Sequence, residues 1–377
     1  MRVPIAFVNL AVAAGAVAGG PAHAAEPVYP GKQWLRATPA EMGMDEARLA
    51  QARQYALSGG GSGCVVRGGR LVMTWGDFHQ RYDLKSTTKS IGVTALGLAS
   101  QDRKMQLADL ATKYQPTLGV PPEDNARTGW IEKITVFHLA TQTAGFDKRG
   151  DYQPLLFPPG IQWSYSDGGP NWLAECITLA YRQDLNTLMF DRVFRPLGIT
   201  EDDLVWRKNA YRPHQIEGIP RREFGSGISA NVDAMARIGY LYLREGAWQG
   251  RPIIPRSFVD TARTALSRVR NLPVYRPELY GKASQHYGLL WWNNADGTLV
   301  DVPRDAYWSH GLGDSLIIVM PSLDLVAARA GKTWKRRVGA DPYDVLKPFL
   351  GPLATSVQAP SGDSQEKSRM NATRNHP

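Results

Sequence analysis

Segments with strand character lie at the two ends of this chain and scarcely between them, and that separation limits the folds open to it. Near the start, CVVRGGRLVMTWG (64–76) reads as a β-hairpin, two apolar runs joined by Gly68-Gly69. After about residue 286 the pattern returns in YGLLWW, SLIIVMP and LDLVAARAG. Between about 104 and 225, helical patterns alternate with loops punctuated by GVPPEDN, FPPG and RPLG. One sheet assembled from both ends of the chain, with helices inserted between its strands, accommodates this order. The expected class is α+β, an α/β sandwich with an antiparallel sheet flanked by helices. The sheet region is expected over 36–103 and 226–350, the helical insert over 104–225, and a last helix over about 341–350.

Helices announce themselves by periodicity and caps. MDEARLAQARQYAL (44–57) is one, ended by GGGSG. NVDAMARIGYLYLREG (231–246) is a second, amphipathic, with Asn231 as N-cap and Gly246 at its end. The chain has 377 residues, of which 43% are hydrophobic, enough for a sizeable core. Its formal net charge of +9 is scattered among acids, and the densest clusters, Arg221-Arg222 and Lys335-Arg336-Arg337, are short. No basic stripe accompanies a reading motif, so no nucleic-acid partner is expected.

The first residues combine Met1-Arg2, the apolar run Ile5–Val17 and Ala22-His23-Ala24 before Ala25. That is the pattern of a secretory signal peptide over 1–24, which predicts export, in a bacterium to the periplasm. No segment reaches about 18 consecutive apolar residues, so no membrane span is expected. Residues 355–377 are polar and turn-rich and read as a disordered tail. The two cysteines, Cys64 and Cys176, are expected as buried free thiols. Nothing in the sequence specifies an oligomeric state.

The chemistry centres on Ser86-Thr87-Thr88-Lys89, an S-x-x-K at the mouth of an Ala-, Gly- and Leu-rich helix. Two readings compete: Ser86 caps the helix while Lys89 snorkels to water, or the pair reacts. The spacing puts both side chains on one helix face. A lysine in low dielectric is expected to release its proton readily, and so to accept one from the serine. Its nearest acids in sequence, Asp83 and Asp102, flank the segment; either one folded against it would oppose that role. The same pattern recurs in Ser364-Gln365-Glu366-Lys367, where no core surrounds it. Two further segments stand out: FPPGIQWSYSDGG (157–169), with Tyr165 two residues before Asp167, and YWSHGLGDSLIIVMP (307–321), glycines leading into a β-branched strand. No G-x-S-x-G elbow, P-loop, H-E-x-x-H or dinucleotide fingerprint is present.

S-x-x-K, then Y-x-D/N, then H/K-x-G on a late strand together resemble the serine β-lactamase and penicillin-binding-protein superfamily. The similarity is to the branch of class C β-lactamases, D-aminopeptidase-like enzymes, related esterases and nylon-oligomer hydrolases, and it runs over about 36–350. It implies Ser86 as acylated nucleophile, Lys89 as its base, Tyr165 as proton relay to the leaving group, and an oxyanion hole from the N–H groups of Ser86 and a residue near Leu312. It implies no metal or organic cofactor. Two positions depart from the pattern. Asp167 stands for the asparagine of Y-x-N, which is expected to weaken contact with a substrate carbonyl and to favour a cationic group. No lysine occupies the K-T-G position, where Ser309-His310-Gly311 and His310-Gly311-Leu312 are alternative alignments. Ser309, His310, Gly311, Leu312 and Asp167 are the candidate substrate and oxyanion contacts.

The resulting expectation is a secreted serine hydrolase acting on a small-molecule ester or amide, an esterase or amidase rather than an efficient β-lactamase. The alternatives are a β-lactamase or D-amino-acid peptidase of the same fold, a Ser-His-Asp hydrolase using His310, and an inactive binding protein. Trp163, Trp291, Trp292 and Trp308 are expected around the pocket.

Overall fold

Gly68 and Gly69 both have positive φ, +56° and +76°, and close the predicted hairpin as a two-residue turn whose twist suits antiparallel strands. The strands are β2 (Ser62–Arg67) and β3 (Arg70–Trp75). A short leader strand, β1 (Leu35–Arg36), joins the free edge of β3. The late segments supply β4 (Trp292–Asn293), β5 (Tyr307–Trp308), β6 (Leu316–Met320) and β7 (Leu325–Ala330). They form one seven-stranded sheet in the order β1-β3-β2-β7-β6-β5-β4. The two ends of the chain meet where β7 pairs with β2, Ala328 opposite Cys64. The structure is a computed structural model that describes residues 27–336 and 343–358. The expected signal peptide and the second S-x-x-K, Ser364–Lys367, lie outside the described residues.

Helices cover both faces of the sheet. α1 (Glu46–Leu57) starts at Asp45, whose carboxylate accepts the Arg48 N–H at 3.0 Å. α2 (Thr87–Gly92) and α3 (Thr94–Gln101) follow the hairpin, and α4 (Gly168–Tyr181) lies in the helical middle of the chain. α5 (Val232–Leu243) begins as expected at Asn231, which accepts the Ala234 N–H at 2.9 Å. It lies on the central strands, with Gly239 against Ile317 and Val326. α6 (Lys347–Thr355) pairs with α1 on the opposite face, where Phe349 meets Trp75 edge-on at 6.1 Å.

Four details differ from expectation. β1 runs parallel to β3, so the sheet is mixed; a two-residue strand carries no alternation to read, and its entry is fixed by Trp34, whose indole N–H donates to Asp233 at 2.6 Å. In YGLLWW only Trp292 is strand, because Leu290 takes a positive φ of +56° and its N–H turns to Ala140 O at 3.0 Å. The last helix starts at Lys347 rather than near 341, with Pro348 in its first turn, where a missing N–H costs nothing. Residues 355–358, read as the start of a disordered tail, are folded: Ser356 is buried and its carbonyl accepts the Asp45 N–H at 2.7 Å. Cys64 and Cys176 are buried free thiols.

The Gly239 packing is directly testable. A Cβ there would lie 2.8 Å from methyls of both Ile317 and Val326, stiff β-branched side chains with no room to retreat. Gly239→Leu is expected to destabilise by about 1–3 kcal/mol through overpacking, read as a lower urea midpoint at unchanged slope.

Candidate active site

Four consecutive polar residues on α2 are buried, and each is tied to a different part of the chain. The Thr87 hydroxyl donates to Ser315 O at 2.7 Å and meets Ser309 Oγ at 3.1 Å. Thr88 Oγ1 accepts the Ile228 N–H at 3.1 Å, and Ser90 Oγ donates to Leu290 O at 2.6 Å. Burial without such partners costs roughly 1–3 kcal/mol per group, so this run is held in place by its surroundings and holds them in turn. Ser86, just before it, occupies the N-cap position but makes no side-chain capping bond. It is presented by Lys85, a non-glycine residue at φ +50°, whose N–H and ammonium are both held by Asp83. Such a backbone stores about 1–3 kcal/mol and needs surrounding contacts to persist.

Lys89 is 1% exposed, which excludes a snorkelling lysine. Its Nζ has three acceptors: Ser86 Oγ at 3.1 Å, Gly225 O at 2.9 Å, and a carboxylate oxygen of Asp167. The expected absence of a carboxylate is therefore corrected. Asp83 and Asp102 do stay away, engaged with Lys85 and with Arg192, but Asp167 arrives from the helical middle. Three acceptors satisfy an ammonium. With one proton removed, two N–H groups still reach Asp167 and Gly225 while the lone pair faces the serine hydroxyl.

Asp167 does not present a free carboxylate for a cationic group, as its position had led us to expect. Its second oxygen is bonded to Lys148 Nζ, a residue that no motif marks. Burial pushes the Asp167 carboxyl up, but Lys89 and Lys148 together hold it below the usual range. Tyr165 lies between the two lysines, its ring 4.9 Å from Lys89 Nζ and 5.2 Å from Lys148 Nζ. Burial, then the Asp167 charge, push its phenol up to about 12 against the opposing effects of Lys148 and a hydrogen bond with Ser86. Gln142 fixes this segment at two points, accepting the Ser166 N–H at 3.0 Å and donating to Ser166 O at 2.9 Å.

The late glycine turn closes on Ser86 from the other side. A Cβ on Gly311 would sit 2.1 Å from Leu84 O and 3.0 Å from the Thr87 nitrogen, so only glycine permits this approach. Among the described residues, no hydrogen bond engages the N–H of Ser86 or of Leu312. Ser309 is fully buried and binds Thr87 and the Ile317 N–H, so it braces the turn instead of facing solvent. His310 lines the cavity and bonds Asp314 at 2.8 Å, but the side-chain contact with Ser86 Oγ at 3.1 Å comes from Lys89. Beneath the turn, buried Arg329 donates to Asp314 O at 3.0 Å and Lys332 O at 2.8 Å.

Residues 47–346 match the model of the family described as Beta-lactamase. This chain belongs to that family. An uncharacterized protein of Alkalihalophilus pseudofirmus is 22% identical over 264 residues, 66% of this chain and 73% of that protein. Among solved structures, a penicillin-binding-protein homologue from Caulobacter crescentus superposes with a TM-score of 0.62 at 16% identity, covering 83% of this chain and 99% of that one. Simvastatin synthase from Aspergillus terreus gives 0.60 at 16% identity over 84% and 98%. A β-lactamase from Mycobacterium bovis gives 0.58 at 19% identity over 79% and 95%. These likenesses establish the fold, and the members of the family are mostly serine hydrolases.

In this β-lactamase-family chain the residues around Ser86 open into a cleft of about 1100 Å³. Its aromatic wall is Tyr165, Tyr280 and Trp292, with Tyr165 stacked on Trp292 at 5.9 Å. Of the four expected tryptophans only Trp292 lines the cleft; Trp163 packs behind Tyr165, and Trp291 and Trp308 are core. The rim carries exposed Leu312, Leu279 and Tyr211. Among the described residues no helix is long and apolar enough to cross a membrane.

Glu223, also unmarked by any motif, lies beside this site with its side chain fully buried and paired with Arg207. Burial raises its carboxyl from an ordinary 4.5 to about 7, against the pull of Arg207. Folding therefore takes up a proton here: the stabilisation is complete below about pH 4.5 and is lost as pH rises through about 7. Relative to Glu223→Gln, the wild-type unfolding free energy in urea is expected to fall by roughly 1–3 kcal/mol over that interval. Parallel curves for the two proteins would refute it.

Proposed function

We propose that this protein hydrolyses a small-molecule ester or amide through an acyl-enzyme on Ser86, with Lys89 and Tyr165 moving the protons. The reading rests above all on the buried Lys89 Nζ, 3.1 Å from Ser86 Oγ and held there by Asp167 and Gly225. Ser86 Oγ attacks the substrate carbonyl and its proton passes to Lys89. The N–H groups of Ser86 and Leu312 are the donors for the oxyanion. As the bond to the leaving group breaks, that group takes a proton relayed through Tyr165, which remains a neutral phenol because its own proton is tightly held. Water then adds to the acyl carbon, gives its proton to the same centre, and releases the acid and free Ser86. The aromatic wall beside Ser86 favours apolar or ring-bearing groups there, while the wider cleft also carries charged side chains such as Arg207, Lys335 and Arg336. We extend the proposal to export: sequencing the mature N-terminus is expected to read from Ala25.

A fluorophosphonate probe tests the mechanism. Intact-mass analysis is expected to show one adduct in the wild type and none in Ser86→Ala, with labelling slowed about 10²–10⁴-fold in Lys89→Ala. His310→Ala is expected to keep labelling; loss of the adduct there with an unimpaired Lys89→Ala would instead support a Ser-His-Asp centre. A panel of p-nitrophenyl esters, D-amino-acid amides, penicillin and a chromogenic cephalosporin then identifies the acyl group. No adduct and no turnover on any of them would leave a binding protein.

Gly311→Ala probes the oxyanion site separately. Its Cβ cannot coexist with Leu84 O, so the turn bearing the Leu312 N–H must withdraw from Ser86. The expected result is a loss of about 10²–10³ in kcat with little change in KM, the signature of a donor engaged in the transition state.

A further inference from the structure

A carboxylate beside the base is the feature of this site that most needs a physical account. An opposite charge in contact favours the protonated lysine, whereas a base has to pass through its neutral form. If Lys89 were the sole partner of Asp167, each loss of its proton would strand a largely buried carboxylate without a counter-charge, which is strongly unfavourable. In this structure Asp167 has a second partner. Lys148 Nζ bonds the carboxylate oxygen that Lys89 leaves free, and the Lys148 carbonyl accepts the Asp167 N–H at 2.9 Å. The two residues thus grip each other through both side chain and backbone, which separates this contact from an incidental surface pair. The Lys148 side chain is 39% exposed and lines the cleft, so its ammonium is hydrated while that of Lys89 is buried.

Charge counting over the three groups shows the consequence. With both lysines protonated the trio carries one net positive charge; with Lys89 neutral, Lys148 and Asp167 still balance each other. Tyr165, Tyr280, Tyr287 and Glu223 also feel the Asp167 charge. Burial holds the three phenols in their neutral form, and Glu223 is matched by Arg207. None of them replaces Lys148 as a cation.

We propose that Lys148 is a positioning residue, the standing counter-ion of Asp167, which allows Lys89 to exchange protons with Ser86 although an aspartate occupies the Y-x-N asparagine position. This rests on the acyl-enzyme reading above. The test is a cycle of Lys148→Met, Asp167→Asn and the double variant in the full-length protein. It follows the rate of fluorophosphonate labelling of Ser86 from pH 5 to 10, with thermal melts to check folding. Lys148→Met is expected to move the acidic limb of the profile by about one pH unit or more to higher pH, so that labelling falls about tenfold at pH 7 and recovers near pH 10. With Asp167→Asn already present, removing Lys148 is expected to change the rate less than about twofold, because no carboxylate remains to be balanced. Lys148→Arg is expected to keep the wild-type profile. A pH-independent loss in Lys148→Met, or an equal loss on the Asp167→Asn background, would overturn the proposal while leaving Ser86 as the nucleophile. A wild type whose Ser86 takes no label overturns both.

Discussion

The buried ammonium of Lys89 joins three stretches of chain that are remote in sequence. Its bonds reach Ser86 at the N-cap of α2, Asp167 ahead of α4 and the Gly225 carbonyl before α5. A polar group so deeply buried is costly unless every donor is used, and here three acceptors meet three donors. The same requirement is repeated by its neighbours. Thr87, Thr88 and Ser90 fasten the late turn, the segment entering α5 and the stretch before β4 to the same helix. The helix is short, six residues, so these fastenings rather than helix propensity hold it in place.

From that anchoring the geometry of the cleft follows. The sheet brings the start and the end of the chain together through β2 and β7, and the strand next to β7 ends the turn that approaches Ser86. Gly311 lets that turn touch the backbone of Leu84, while Arg329 and Asp314 hold it from beneath. Asp314 accepts from the Trp334 N–H and from Arg336 and also pairs with His310, so the histidine is part of the brace under the turn as well as of the cleft wall. Ser86 is thus fixed by a strained entry at Lys85 on one side and by a glycine contact on the other.

What the sequence made legible is what depends on short range. The hairpin at Gly68-Gly69, the cap at Asn231 and the Ser86–Lys89 pair each lie within a few residues, where turn chemistry and helix spacing act directly. The overall sheet was legible too, because strand patterns separated by a helical middle leave few ways to pair. The partners of the buried charges were not. Proximity in sequence points to Asp83 and Asp102 as the acids that matter for Lys89, yet the carboxylate comes from 78 positions away. Lys148, Glu223 and Arg329 carry no local signal at all, since their roles arise only when separate segments converge. The tryptophans erred in the opposite direction: an aromatic residue looks equally suited to a wall or a core, and only its place in the fold, at the cleft, distinguishes Trp292 from the likewise buried Trp291 and Trp308.

The exchange of an amide for a carboxylate at position 167 shows how far such a change spreads. A carboxylate offers no donors, so it cannot reproduce both sides of an asparagine's hydrogen bonding. Seen alone, Asp167 invites a cationic substrate group. In its setting, both oxygens are already engaged by lysines of the chain itself, so a ligand cation would have to displace one of them. What remains for a ligand to meet is the phenol of Tyr165, His310, the aromatic wall, the apolar rim and the charged side chains of the wider cleft, Arg207, Lys335 and Arg336 among them. The charge at position 167 therefore acts inward, on the two lysines that hold it, rather than outward on the cleft.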